Sequence, residues 1–199
     1  MLDIYNYLSF QSAIYVAEKY NADKTMDHEI KIASFAMAVF DKTKHIHNLT
    51  DSYKNLLCCS SLLHDIGCFI SKNKHHKHTR YIILTDSEFD VIPDDLRHYL
   101  SIISSSHRKS IDKSIKLYNE NIQDKLKILI SILRISDALD HKHKFNNVLN
   151  SISVTDQNLI FYIKSNDFQR TLVRFNIKNQ LFNKIFKIQA RLEPQVTYH

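Results

Sequence analysis

Residues 123–139 read QDKLKILISILRISDAL, and along them Leu126, Ile130, Leu133 and Asp137 recur at steps of four, three and four. That spacing predicts an α-helix with all four side chains on one stripe, the stripe that faces a core. A carboxylate there is costly unless a cation or several hydrogen bonds meet it. The helix that decides the fold therefore also raises the question of function.

The surrounding composition agrees with a helical chain. The 199 residues include one glycine, Gly67, and two prolines, Pro93 and Pro194, against usual shares of ~7% and ~5%. Tight primed hairpins and glycine-rich phosphate loops both need glycine, so strand-rich folds and such loops are disfavoured. A net charge of +6 fits either lysine-covered solvent faces or an anionic ligand, and charge alone does not choose between them. Cys58, Cys59 and Cys68 are odd in number and form no CxxC pair, so they read as buried thiols of a reducing compartment. No stretch approaches the ~20 apolar residues of a membrane span and no leader pattern opens the chain. The expected location is cytoplasmic, without membrane attachment.

Helices are expected at 10–20, 28–43, 51–65, 79–84, 95–105 and 123–139, with Thr25 or Asp27 capping the second. In the second, His28, Ile32, Phe35 and Val39 share the buried stripe. The third is small-sided at Cys58, Cys59, Ser60 and Ser61, which suits a central helix. Gly67 stands where a left-handed residue would end it. A basic connector, 72–77, leads to the fourth. After Val148, two strands around a turn at 156–158 form a hairpin, and a last helix covers 167–186. The expectation is a mainly all-α single domain: a helical core, 1–147, followed by the hairpin and terminal helix, 148–199.

His28, the pair His64-Asp65, and Asp137 thus come from three helices, each at a polar end or within an apolar stripe. One divalent cation would satisfy them together. Nitrogen and oxygen donors without thiolate suit manganese, iron, magnesium or zinc and leave positions for water and phosphate oxygens. Further on, His75, His76, Lys77 and His78 form one cluster and His107, Arg108 and Lys109 another. Each is either an exposed basic loop or a source of one imidazole for a second metal or acid-base work. Adjacent side chains diverge, so one or two of the first cluster can reach a single site; His76 is favoured. Lys77, Arg108 and Lys109 would hold phosphate oxygens. Arg134 would orient Asp137, contact phosphate, or form a structural salt bridge. His45, His47, His98, His141 and His143 read as surface. The aromatics recur at helical spacing and read as core, which offers no stacking platform for nucleic acid.

The strings LLHDIG, HHKHTRYII, SSHRK and ILRISDALD, in that order, resemble the C-terminal HD-like domain of the exopolyphosphatase/guanosine pentaphosphatase family. HEIKIASFAMAVFDKT resembles that domain's first helix. The resemblance spans nearly the whole chain. It implies an HD-type helical bundle and metal-ligand roles for His28, His64, Asp65 and Asp137. By analogy with two-metal HD phosphodiesterases it adds one of His75, His76 or His78, together with His107. In the full-length enzymes polyphosphate chemistry belongs to two preceding actin-like domains with glycine-rich loops. One glycine cannot supply these, so that mechanism is not expected here.

The expected function is a metal-dependent HD-type phosphohydrolase with one or two divalent ions, acting on a small phosphorylated molecule such as a nucleotide. Asp65 and His107 would be its catalytic groups. The rival is a non-catalytic accessory or polyphosphate-binding subunit with a protein partner or as a homodimer. A third reading is an HD-type nuclease.

Overall fold

The computed structural model describes residues 1–21, 25–108, 110–140 and 147–195. Lys109, His141 and His143, singled out in the sequence, lie outside the described residues. The helices are α1 (Phe10–Lys19), α2 (Asp27–His47), α3 (Asp51–Leu62), α4 (His75–Thr85), α5 (Asp94–Ser105) and α6 (Glu120–Leu139). Then follow strands β1 (Val148–Val154) and β2 (Asn158–Lys164), helices α7 (Phe168–Lys178) and α8 (Gln180–Phe186), and strand β3 (Gln189–Pro194). The fold class is the expected one, mainly α with a small sheet.

Local chemistry starts these helices. The Ser9 hydroxyl accepts the Ser12 N–H at 3.1 Å and Asn119 Oδ1 accepts the Ile122 N–H at 3.1 Å, two side-chain N-caps. α2 has none. Met26 precedes it, and Asp27 and Glu29 place negative charge in its first turn instead.

α3 and α6 form the centre. All of residues 129–139 are buried, so this half of α6 is enclosed on every side rather than along one stripe. Each buried Leu or Ile there contributes roughly 1.5–3 kcal/mol. In α3 the Ser60 and Ser61 hydroxyls donate to the Leu56 and Leu57 carbonyls at 2.7 and 2.8 Å. Their polarity is satisfied locally, and the small side chains admit α5, whose Ser104 hydroxyl donates to the Ser60 carbonyl at 3.3 Å.

Two features differ from expectation between α3 and α4. Gly67 has no positive φ and lies inside a 3₁₀ turn, Ile66–Phe69. Its need for glycine comes from close approach: a Cβ would stand 2.1 Å from the His75 carbonyl oxygen and 2.3 Å from the Thr79 nitrogen. Because α4 can come so near, its helix begins at His75, and half of the expected connector is helical.

The C-terminal region also gains elements. The hairpin forms with β1 and β2 antiparallel, and β3 adds a parallel strand beside β2. The expected terminal helix is two helices meeting at Asn179, whose Nδ2 donates to the Ala190 carbonyl of β3 at 3.0 Å. Phe182 and Phe186 stack within α8, and Phe175 of α7 stands edge-on to Phe161 of β2. The helix pair packs against α6, while β1 meets α2 and β3 lies against α7 and α8. Among the described residues, no helix is long and apolar enough to cross a membrane.

Candidate metal centre

The end of α3 carries His64 into the interior. Its Nδ1–H donates to the Ser61 carbonyl at 2.7 Å, which turns Nε2 inward. His64 is fully buried, and Nε2 has no hydrogen-bond partner. It faces Asp65 Oδ2 at 3.6 Å and Asp137 Oδ1 at 4.0 Å. His28, in the first turn of α2, lies beside it, with ring centroids 5.2 Å apart. One ligand atom each from His28, His64 and Asp65 falls within 4.8 Å of the others. Asp137, from the last turn of α6, stands at the edge of this group.

A second group shares Asp65. His75, at the start of α4, and His107, just beyond α5, bring their Nε2 atoms to 2.9 Å of each other and to 3.1 and 3.3 Å of Asp65 Oδ1. His107 Nδ1–H donates to the Ser104 carbonyl at 2.7 Å. His75 Nδ1 lies 3.2 Å from the Lys72 carbonyl. With His107 Nδ1 donating to a carbonyl, its Nε2 lone pair meets His75 Nε2 and a carboxylate oxygen, an arrangement that a proton on His75 or a metal ion would hold together.

Electrostatics follow from that crowding. Burial pushes His107 down to about 3 and keeps it neutral. Burial also opposes a charge on His75, but Asp65 and the Cys68 thiol outweigh it and raise the ring to about 10, so without metal His75 holds the proton. Burial would raise Asp65, yet His64 and His75 hold it well below the usual carboxylate range. Asp137 is likewise held low against burial, chiefly by the Lys178 ammonium, then by His64. His28 is raised: burial opposes its charge, and its 3.1 Å contact with Asp140 together with Asp137 and Asp65 overcomes that.

Several placements correct the sequence reading. His75, not His76, contacts Asp65 and His107; His76 sits beside it, half-buried, its Nδ1 without a hydrogen-bond partner. Lys77 is exposed and does not line the cavity described below. Arg134 forms no ion pair with Asp137 and instead donates from Nε to the Ser106 carbonyl at 2.7 Å. Burial brings its guanidinium down to about 10, and Nη2 has no partner. His47 and His98 are not surface residues. His47 pairs with the Phe40 carbonyl at 3.0 Å, and His98 with the Tyr118 hydroxyl at 2.7 Å.

Two residues escaped the sequence reading. Asp140 holds His28 and also takes an ion pair from Lys31 at 3.0 Å; its place one turn after the α6 stripe was a usable signal. Lys178, the last residue of α7, donates to Asp137 Oδ2 at 2.5 Å and to the His107 carbonyl at 2.8 Å. Nothing local in the sequence marks it. Above the cluster opens a cavity of about 560 Å³, with Asp65, His75, His107 and Asp137 on its floor. Arg108, Arg134, Arg174, Lys178 and Lys184 supply its cationic walls.

Among curated proteins, none matches the chain. The family model for Ppx/GppA phosphatase, domain III, matches residues 10–185, from the start of α1 to the last turn of α8, and the chain belongs to this family.

Proposed function

We propose that this protein is a metal-dependent phosphohydrolase of the HD type that acts on a small phosphorylated substrate. One observation carries the reading: the fully buried His64 Nε2 atom has no hydrogen-bond partner and faces two carboxylates. An orphaned donor atom of this kind is costly unless a cation meets it. His28, His64, Asp65 and Asp137 fit one divalent ion, and Asp65, His75 and His107 fit a second. Asp137 would offer Oδ1 alone, since Oδ2 is held by Lys178.

When bound, such ions supply an acidified water and a Lewis acid for the phosphoryl group. The protein's own part is positional and electrostatic. Carbonyl contacts at Nδ1 fix the orientation of His64, His75 and His107 and aim Nε2 into the site. Asp65, shared by both groups, orients the attacking water. Arg134 Nη2 and the Lys178 ammonium stand where charge would develop on phosphate oxygens. Manganese, iron, zinc and magnesium all suit the nitrogen and oxygen donors.

A second reading, an accessory subunit that binds polyphosphate, draws support from the cationic walls reaching beyond the metal cluster to Arg174 and Lys184. Elemental analysis of protein purified without chelators separates the two. The enzyme reading expects a divalent metal at or above one per chain, lost in the His64→Ala/Asp65→Ala variant. It also expects that this variant loses hydrolysis of nucleotides or phosphodiesters. No metal after reconstitution would overturn it and favour the accessory role.

A further inference from the structure

We infer that Cys68 is a thiolate ligand of the second metal position and completes a shell of sulfur, nitrogen and oxygen with Asp65, His75 and His107. The inference rests on the metal-centre reading above and names a donor that this reading does not use. Asp65 caps the 3₁₀ turn Ile66–Phe69, and the Cys68 N–H donates to the Asp65 carbonyl at 2.8 Å. Residues three apart eclipse in a 3₁₀ helix. The Asp65 and Cys68 side chains therefore share a face, and that face meets the first turn of α4 because Gly67 leaves no Cβ to hold it off.

The result is a compact donor group: Cys68 Sγ, an Asp65 oxygen and a His75 ring nitrogen all lie within 4.8 Å of one another. A separate observation points to the same place. The Nε2 atoms of His75 and His107 stand 2.9 Å apart and lie 3.1 and 3.3 Å from Asp65 Oδ1, so two ring nitrogens and a carboxylate oxygen already converge beside the thiol. The other thiols differ. Cys58 and Cys59 are enclosed in α3, and Cys59 Sγ contacts the Leu8 carbonyl at 3.7 Å as a core residue.

Binding an ion at this position releases the thiol proton to solvent. A thiolate donor shifts preference toward zinc, iron or cobalt and away from magnesium. The test is a titration of the full chain with cobalt(II), followed by optical absorption. The wild-type protein should develop a near-ultraviolet sulfur-to-cobalt charge-transfer band that survives in Cys58→Ala/Cys59→Ala and vanishes in Cys68→Ser. Affinity for the second equivalent should fall by at least the roughly 10–100-fold that loss of an outer-shell partner costs. Cys68→Asp, which offers oxygen instead, should regain affinity without the band, and that rescue guards against a folding defect. Absence of the band, with cobalt affinity unchanged in Cys68→Ser, would overturn the inference. If His64→Ala/Asp65→Ala still lost metal in that case, the metal-centre reading would stand. No cobalt binding by the wild-type chain would overturn both.

Discussion

His64, His75 and His107 each turn Nδ1 toward the carbonyl oxygen three residues earlier in the chain, at Ser61, Lys72 and Ser104. The device needs only a helix end or a turn beside each imidazole, and it leaves every Nε2 directed inward. The HD pair and His107 were legible because each stands at the end of a strongly patterned helix. The choice within His75, His76 and His78 was not. Neighbouring residues on a helix point about 100° apart, so an error of four residues in the helix start loses the phase. Metal titration checks the correction: His75→Ala should lose the second equivalent, and His76→Ala should keep both. His47 supplies a residue-scale test away from the site. Burial holds its imidazole below the usual range, so the unfolded chain takes up that proton first as pH falls. Stability from neutral His47 is complete above about 6.5 and declines as pH drops below it. Thermal melts should show a smaller drop on acidification in His47→Gln than in the wild type.

At the scale of elements, the contact between the 3₁₀ turn and α4 is the joint on which the second donor group depends. Thr79 Oγ1 accepts the Gly67 N–H at 3.1 Å and donates to the His64 carbonyl at 2.9 Å, tying α4 to the HD segment by two bonds. In Gly67→Ala the new methyl group would meet backbone atoms of α4, which cannot rotate away. A loss of about 1–3 kcal/mol in denaturant unfolding is expected, as for other overpacked sites. The second metal equivalent should weaken with it, because α4 carries His75. If Gly67→Ala kept wild-type stability and both metal equivalents, close packing at this joint would not be what positions the site. The sequence marked Gly67 as special but assigned it the wrong reason. A single glycine after a helix fits both a left-handed cap and a close crossing, and only the partner helix distinguishes them.

For the whole molecule, the C-terminal sheet and its helices do more than close the core. They bring Lys178 across to Asp137, 41 residues away in sequence, and raise the cationic wall over the metal cluster. Both partners of that ion pair are largely buried. Removing one member of such a pair costs roughly 3–5 kcal/mol, because the other charge stays behind. Lys178→Ala should therefore destabilise the metal-free protein strongly, as read by thermal or chemical unfolding. An added divalent ion should restore much of that stability, since it would take over the neutralisation of Asp137. Equal destabilisation with and without metal would place Asp137 outside the metal shell.

Read alone, the chain settles the helical class and the hairpin, because both are written in local periodicity and in the scarcity of glycine, which act over a few turns of chain. It also marks His28, His64, Asp65 and Asp137 as polar groups on buried stripes or at helix ends, a cost that a shared cation would remove. The tertiary structure alone decided that His75 joins Asp65, that Cys68 stands beside them, that Asp140 holds His28, and that Lys178 meets Asp137. Each of these depends on how one helix end is placed against another, and that placement is set by packing summed over the whole core.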